Sequence, residues 1–417
     1  MRKLLLIGAL VLISASVFAQ AAAPAPAAAP TMAFTGALYT GTIAQGIGSA
    51  TPSLGIWDPV NQTGSRFNWQ GTVKADTWGL NFRLREDDNW QQLKDANYPA
   101  FRRLYGWMEP VPGVVRVTVG RLSGYEWATG DAGGFSTLGN LDGAVGAQLQ
   151  IMPIDGLNFG AFLPFTYGNG DSATPTYAPS VSLIEAVSFM AVGFKYTMKG
   201  VGDIEGGYWG AADMPAGNLG TQRTNSSSFY AFPKAWFGLE YVGMPNLTAL
   251  LESQFAISNA SSANYAYFDE QVSYQMDQLG LTLYAEQLLW SSATYAGNLG
   301  YGKTNLGFRP VVDYAMGNVD VGAYAELVYS DNAAASGNWG YAFGPFVKVT
   351  VSKNVYMRLQ PEYGGGNVTS PINGAPLQDY PGDNPSPGYQ KTNGLVQGWA
   401  PLANAYWQVF LNFVVSF

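Results

Sequence analysis

Polar and apolar residues alternate along most of this chain. From Arg66 to Asp76 every odd position is apolar or glycine and every even one is polar (RFNWQGTVKAD). Immediately after, Trp78, Leu80, Phe82 and Leu84 alternate with Gly79, Asn81, Arg83 and Arg85. A period of two predicts strands with one wet and one greasy face. Eighteen such strands are predicted, near 33–43, 65–76, 77–86, 101–110, 113–122, 141–152, 156–167, 182–199, 201–211, 230–243, 247–257, 265–276, 279–290, 304–316, 318–329, 340–352, 354–363 and 402–417. Beyond the N-terminus no helix-length apolar run exists: the best window, 181–198, is broken by Glu185 and Lys195. Connections also alternate. Tight turns such as PVPG at 110–113, PIDG at 153–156 and SKN at 352–354 alternate with longer segments such as 44–64, 123–140, 212–229 and 364–401.

A soluble sandwich would alternate too, so two further features decide. Many apolar faces carry an aromatic near an end: Trp69, Trp78, Tyr167, Tyr196, Tyr208, Tyr241, Tyr274, Tyr314, Tyr329 and Trp407. Aromatic girdles of this kind mark the two interfaces of a membrane barrel. The polar faces are rich in Gly, Asn, Gln and Ser with isolated charges, which suits a watery lumen. The expected fold is therefore all-β, a transmembrane antiparallel up-and-down β-barrel of about eighteen strands, sixteen being the alternative count. With an even count and short turns on one rim, that rim is expected to face the periplasm. In the last strand Trp407, Val409, Leu411, Phe413, Val415 and Phe417 share one face. Its end, Phe413, Val415 and Phe417, resembles the terminal signal read by barrel-assembly machinery.

The ends and the composition set the compartment. Arg2 and Lys3, the apolar run to Ile13 and the small residues up to Ala19 read as a secretory signal peptide, residues 1–19. Residues 20–32 are an Ala/Pro-rich segment too poor in core formers to fold, and 33–417 are assigned to the barrel. Removing the leader leaves 19 basic residues against 29 acidic ones, which argues against a nucleic-acid partner. The chain has no cysteine and no histidine. That removes disulfides, thiolate metal sites, the usual zinc ligand and the usual general base, so neither an enzyme nor a cofactor is indicated. Charged residues are only 12% of the chain, about half the ~25% of soluble domains.

Residues 65–140 resemble the beginning of a general bacterial porin. RFNWQG at 66–71 is similar to the second strand of that family, RLYG at 103–106 to its fourth, and VTVGR at 117–121 to the end of its fifth. The resemblance implies that the loop near 122–140, which holds Glu126 and Asp131, folds into the pore opposite a basic wall. It also implies a homotrimer in the bacterial outer membrane, touching lipid and lipopolysaccharide. Charge supports the wall independently: nine basic residues fall between 60 and 125. Those expected to line the pore are Arg66, Lys74, Arg83, Arg85, Arg103, Arg116 and Arg121. With Glu126 and Asp131 across the gap, a transverse field would act on passing solutes.

The resulting expectation is a channel for passive diffusion of small hydrophilic solutes and ions. Two alternatives stay open: a substrate-selective channel for sugars or amino acids, with Trp236, Tyr284, Tyr324 and Tyr356 as a stacking track, and a non-channel adhesin barrel. Other signals are set aside. GNLGYGKT at 297–304 has the letters of a phosphate loop, but an alternating strand follows it where a helix would be needed. Glu86, Asp87 and Asp88 read as a solvated loop rather than a calcium site. Asp269 and Glu270 fall on opposite faces of one strand and cannot act as a pair.

Overall fold

The computed structural model describes residues 29–49, 51–56, 65–88, 100–124, 127, 140–166, 190–209, 234–256, 264–293, 296, 302–332, 335–368 and 404–417. The expected signal peptide and the Ala/Pro segment as far as residue 28 lie outside them. The described residues form nineteen strands. The first ten are β1 (Thr31–Ile47), β2 (Ser53–Ile56), β3 (Ser65–Lys74), β4 (Trp78–Asp88), β5 (Ala100–Val111), β6 (Val115–Gly124), β7 (Asn140–Ile154), β8 (Leu157–Thr166), β9 (Ala191–Met198) and β10 (Gly202–Trp209). The rest are β11 (Lys234–Met244), β12 (Leu247–Ala256), β13 (Tyr265–Met276), β14 (Leu279–Trp290), β15 (Thr304–Met316), β16 (Val319–Ser330), β17 (Trp339–Ser352), β18 (Val355–Gly366) and β19 (Tyr406–Ser416).

From β3 onward each strand pairs antiparallel with the next, and β1 pairs with both β3 and β19. The sheet thus closes on itself and leaves no edge, which lets every stave satisfy its backbone inside a bilayer. The short β2 is no extra stave. It pairs with Thr42–Gln45 of β1, directly beyond the stretch Thr31–Tyr39 that β3 covers. The barrel therefore has eighteen staves rather than sixteen, with β2 and β3 sharing one. All eighteen expected strands are present. β1 runs on to Ile47, and β9 takes the second half of the expected 182–199, residues 181–189 lying outside the described set.

Tight turns gather at one rim. Several need a left-handed residue, the backbone hand that matches strand twist in a short hairpin: Asn246 (φ 64°), Asp277 (φ 51°) and Gly317 (φ 66°). The outer face is apolar. Leu80, Leu104, Val119, Phe159, Leu239, Val272, Leu306, Phe308, Leu327 and Leu411 all stand exposed on it. Aromatics ring its two ends: Trp78, Tyr196, Tyr274 and Tyr314 toward the tight turns, and Tyr208, Trp339, Tyr341, Tyr363 and Trp407 toward the other rim. Exposed apolar area on this scale is unstable in water and stable in lipid.

The seam closes at the chain's last residue. Gly36 N–H donates to Phe417 O (2.8 Å), and Phe417 N–H donates back to Gly36 O (2.9 Å). Gly36 has no side chain to obstruct the Phe417 ring, which reaches across β1 to stack on Phe67 with centroids 6.2 Å apart. The expected face of β19 is observed: Trp407, Leu411 and Phe417 are exposed outward, while Phe410 and Val414 are fully buried inward.

Candidate pore and its lining

Pairing assigns each residue to a face, because directly opposed residues share one. Outward Trp69 and Leu80 put Asn68, Gln70, Asn81 and Arg83 on the lumen side. Arg83 stands opposite Gln70 on β3 and opposite Arg103 on β5, so two guanidinium-bearing residues face each other across one ladder step. By backbone register Arg85 stands opposite Asn68, and Arg66 opposite Asp87, on the same side. The side chains of Arg66, Arg85 and the 86–88 acids lie outside the described set, as do Glu126 and Asp131 altogether.

The remaining expected wall residues differ from one another. Lys74 ends β3 and is exposed at the tight-turn rim rather than in mid-lumen. Arg116 is spoken for. Its Nη2 lies 2.7 Å from Glu109 Oε1 and its Nε donates to the same oxygen at 3.1 Å. Its guanidinium also sits 4.5 Å over the Trp107 ring. Glu109 is anchored in turn by the Gly113 N–H at 2.9 Å. Arg121 departs from the expectation. It pairs with Leu104 and Val145 and shares the register of outward Val119, so the ladder removes it from the wall. Parity counted through VTVGR already places Arg121 with Val117 and Val119 rather than with Arg116, so the expected wall position followed the run of basic residues and not the alternation.

Burial divides the lumen face into two unlike halves. Along β3 to β6 the inward side chains Gln70, Thr72, Asn81, Arg83, Arg103, Tyr105, Trp107 and Arg116 are all partly exposed, Asn68, Thr118 and Leu122 being buried exceptions. Along β12 to β19 most inward side chains are packed, those near the tight-turn rim such as Asp313, Asp320 and Lys348 staying partly exposed. Glu252 stands opposite Asp269, which stands opposite Glu286, and these acids are 3%, 0% and 2% exposed. Glu326 pairs with Arg309 at 3.3 Å, and Arg309 lies 4.4 Å over the Tyr324 ring. Glu362 accepts from Tyr324 Oη (2.6 Å), Tyr406 Oη (3.2 Å) and Gln408 Nε2 (2.5 Å).

That network adds carboxylates to the lumen that the sequence reading did not include. Among the described residues the lumen acids come from barrel strands, and most are buried. Sequence reasoning missed them because each is a lone carboxylate on its own wet face. One pair was countable: the turn at Asp277 and Gln278 makes Asp269 and Glu286 partners. The aromatic track is also not available, since Trp236, Tyr284 and Tyr324 are all at least 96% buried. Tyr284 and Tyr324 pack with Val311 and Phe346, and Tyr356 packs against the Ala37, Tyr39 and Val414 cluster. Asp269 and Glu270 do lie on opposite faces: Glu270 faces outward and accepts from Gln287 Nε2 at 3.0 Å. The phosphate-loop letters end at Thr304, where β15 begins, so no helix follows them.

No family model matches the chain, and no curated protein is significantly similar to it in sequence. Solved structures are similar in fold. The anion-selective porin from Comamonas acidovorans superposes with a TM-score of 0.51 at 11% identity, covering 93% of this chain and 100% of that one. OpdQ of Pseudomonas aeruginosa gives 0.55 at 11%, covering 93% and 97%. OpdF of the same organism, solved in complex with glucuronate, gives 0.52 at 8%, covering 92% and 98%. The fold is thus that of the bacterial outer-membrane porins, a closed antiparallel β-barrel of eighteen staves.

Proposed function

We propose that this barrel is an outer-membrane channel that carries small hydrophilic solutes passively and prefers anions. One observation carries the reading: the partly exposed half of the lumen face is the basic one, while most carboxylates of the other half are buried, Asp313 and Asp320 near the tight-turn rim being partly exposed. A solute in the water column meets Arg83 and Arg103 at close range and the acidic row only through packed side chains. Fixed charge next to the path dominates distant charge, because salt screens beyond a Debye length of ~8–10 Å. A barrel of about 18 staves is wide enough for such a column. The reading involves no reaction and no energy coupling.

The test is the reversal potential of reconstituted channels in a potassium chloride gradient. The sign for chloride preference is expected, and Arg83→Gln with Arg103→Gln should move the potential toward the cation side. A cation-selective wild type would overturn the reading. A second reading has one observation of its own. Arg83 and Arg103 directly opposed could hold a carboxylate between them. OpdF, with its bound glucuronate, supports asking whether a carboxylate-bearing sugar is selected here. Concentration-dependent block of current by glucuronate, with none by glucose, would favour that narrower channel.

A further inference from the structure

Three glycines stand in register on the inner wall. Gly160 of β8 is opposite Gly193 of β9, and Gly193 is opposite Gly207 of β10. Phe159 and Val192 point outward beside them, so the missing side chains open a cleft on the lumen face. Two tryptophans fill it. Trp236 of β11 lies over Gly193 and Gly207, where an added Cβ would come within 3.1 and 2.9 Å of its Cζ2. Trp127 lies over Gly160 and Gly193. At Gly160 an added Cβ would meet Trp127 Cδ2 at 2.0 Å, and the three nearest atoms all belong to that indole.

Trp127 does not come from the wall it touches. It follows β6 by three residues, and β7 separates β6 from β8. The intervening strand, β7, carries Gln148 and Gln150 on its inner face, 1% and 2% exposed. Trp127 itself is fully buried. A large flat ring seated on glycine is a strong, shape-specific contact, since the sheet backbone offers it an unobstructed surface.

We propose that Trp127 is a positioning residue for the pore: its indole keys into the three-glycine cleft and ties the chain leaving β6 to β8 and β9. The anchorage occupies lumen volume on that side and leaves the water column along the arginine-bearing strands. The inference rests on the channel reading above, but on neither its ion preference nor its solutes. Its specificity lies in the match of ring to cleft, so phenylalanine should keep part of the function and alanine none.

Single-channel conductance of full-length protein in planar bilayers tests this, with heat-modifiable migration confirming folded barrels. Trp127→Ala is expected to raise conductance at least about 1.5-fold by widening the path, with Trp127→Phe nearer to wild type. Gly160→Ala should evict the same indole without touching it chemically and give the same rise. Combining Gly160→Ala with Trp127→Ala should add nothing to Trp127→Ala alone. Folded Trp127→Ala and Gly160→Ala barrels with wild-type conductance would overturn the assignment. Should Trp127→Ala fail to fold, Gly160→Ala decides by the same criterion. A wild type that conducts but prefers cations would sink the anion reading and leave this one standing; a wild type that carries no current would sink both.

Discussion

Single residues carry the membrane's demands most visibly where a charge faces lipid. Glu270 shares the outer face of β13 with Val272 and Tyr274, each 42% exposed, and its partner is Gln287. An ionisable group midway along a lipid-facing strand is costly, and a donor beside it offsets part of that cost. Gln287→Leu should therefore destabilise the barrel by about 1–3 kcal/mol, the penalty for stranding a buried polar group. Adding Glu270→Leu should restore wild-type stability or better, since the orphan is then gone. Urea titration of vesicle-folded protein measures both, and equal destabilisation in single and double variants would rule out the coupling. The outward placement of Glu270 was legible from parity within one strand. The hydrogen bond to Gln287 was not, because it runs diagonally: Gln287 stands opposite Phe268 and Glu270 opposite Ala285.

Elements were more legible than residues because each stave has to solve the same problem. One face meets lipid and one meets the lumen, so the two-residue period recurs in every strand long enough to span. The strand that escaped notice is the exception that fits this account. β2 has four residues, Ser53–Ile56, follows Pro52 and spans nothing by itself, so it shows too little alternation to register. It gains its place only by continuing β3 along β1, a relation that no local pattern encodes. β19 sits at the other extreme. Its face was readable throughout, and Phe417, directly after it, closes the seam. Deleting Phe417 should remove both hydrogen bonds to Gly36 and the ring contact with Phe67, weakening closure by about 1–3 kcal/mol. The folded band on unboiled gels should then be lost at a lower temperature than in wild type. Phe417→Leu should fall between the two, because it keeps the backbone pair and loses only the stacked ring.

At the scale of the whole molecule, composition and architecture point in opposite directions. The chain is acidic, with 29 Asp and Glu against 21 Lys and Arg, which by itself would suggest a cation channel. The barrel withdraws much of that charge from the water by burying carboxylates such as Glu205, Glu252, Asp269, Glu286, Glu326 and Glu362 along one side of the lumen. Strand register brings Glu252, Asp269 and Glu286 side by side, and register across long connections is what a single sequence does not reveal. The early cluster of arginines was visible because those residues are near one another in the chain as well as in the barrel. Two expectations follow from burial rather than from count. Replacing Glu252, Asp269 and Glu286 by Gln should shift the reversal potential less than replacing Arg83 and Arg103 does, although fewer charges are removed in the arginine variant. The preference should also fade with salt. Raising ionic strength from 0.1 M to 1 M shortens the Debye length from ~10 Å to ~3 Å, so the arginines cease to influence ions in the middle of the column. Permeability ratios measured at both strengths, with the same gradient, should approach unity at the higher one. A ratio that holds steady would mean that ions are chosen by direct contact with the wall, and the field of the exposed half would no longer explain the selectivity.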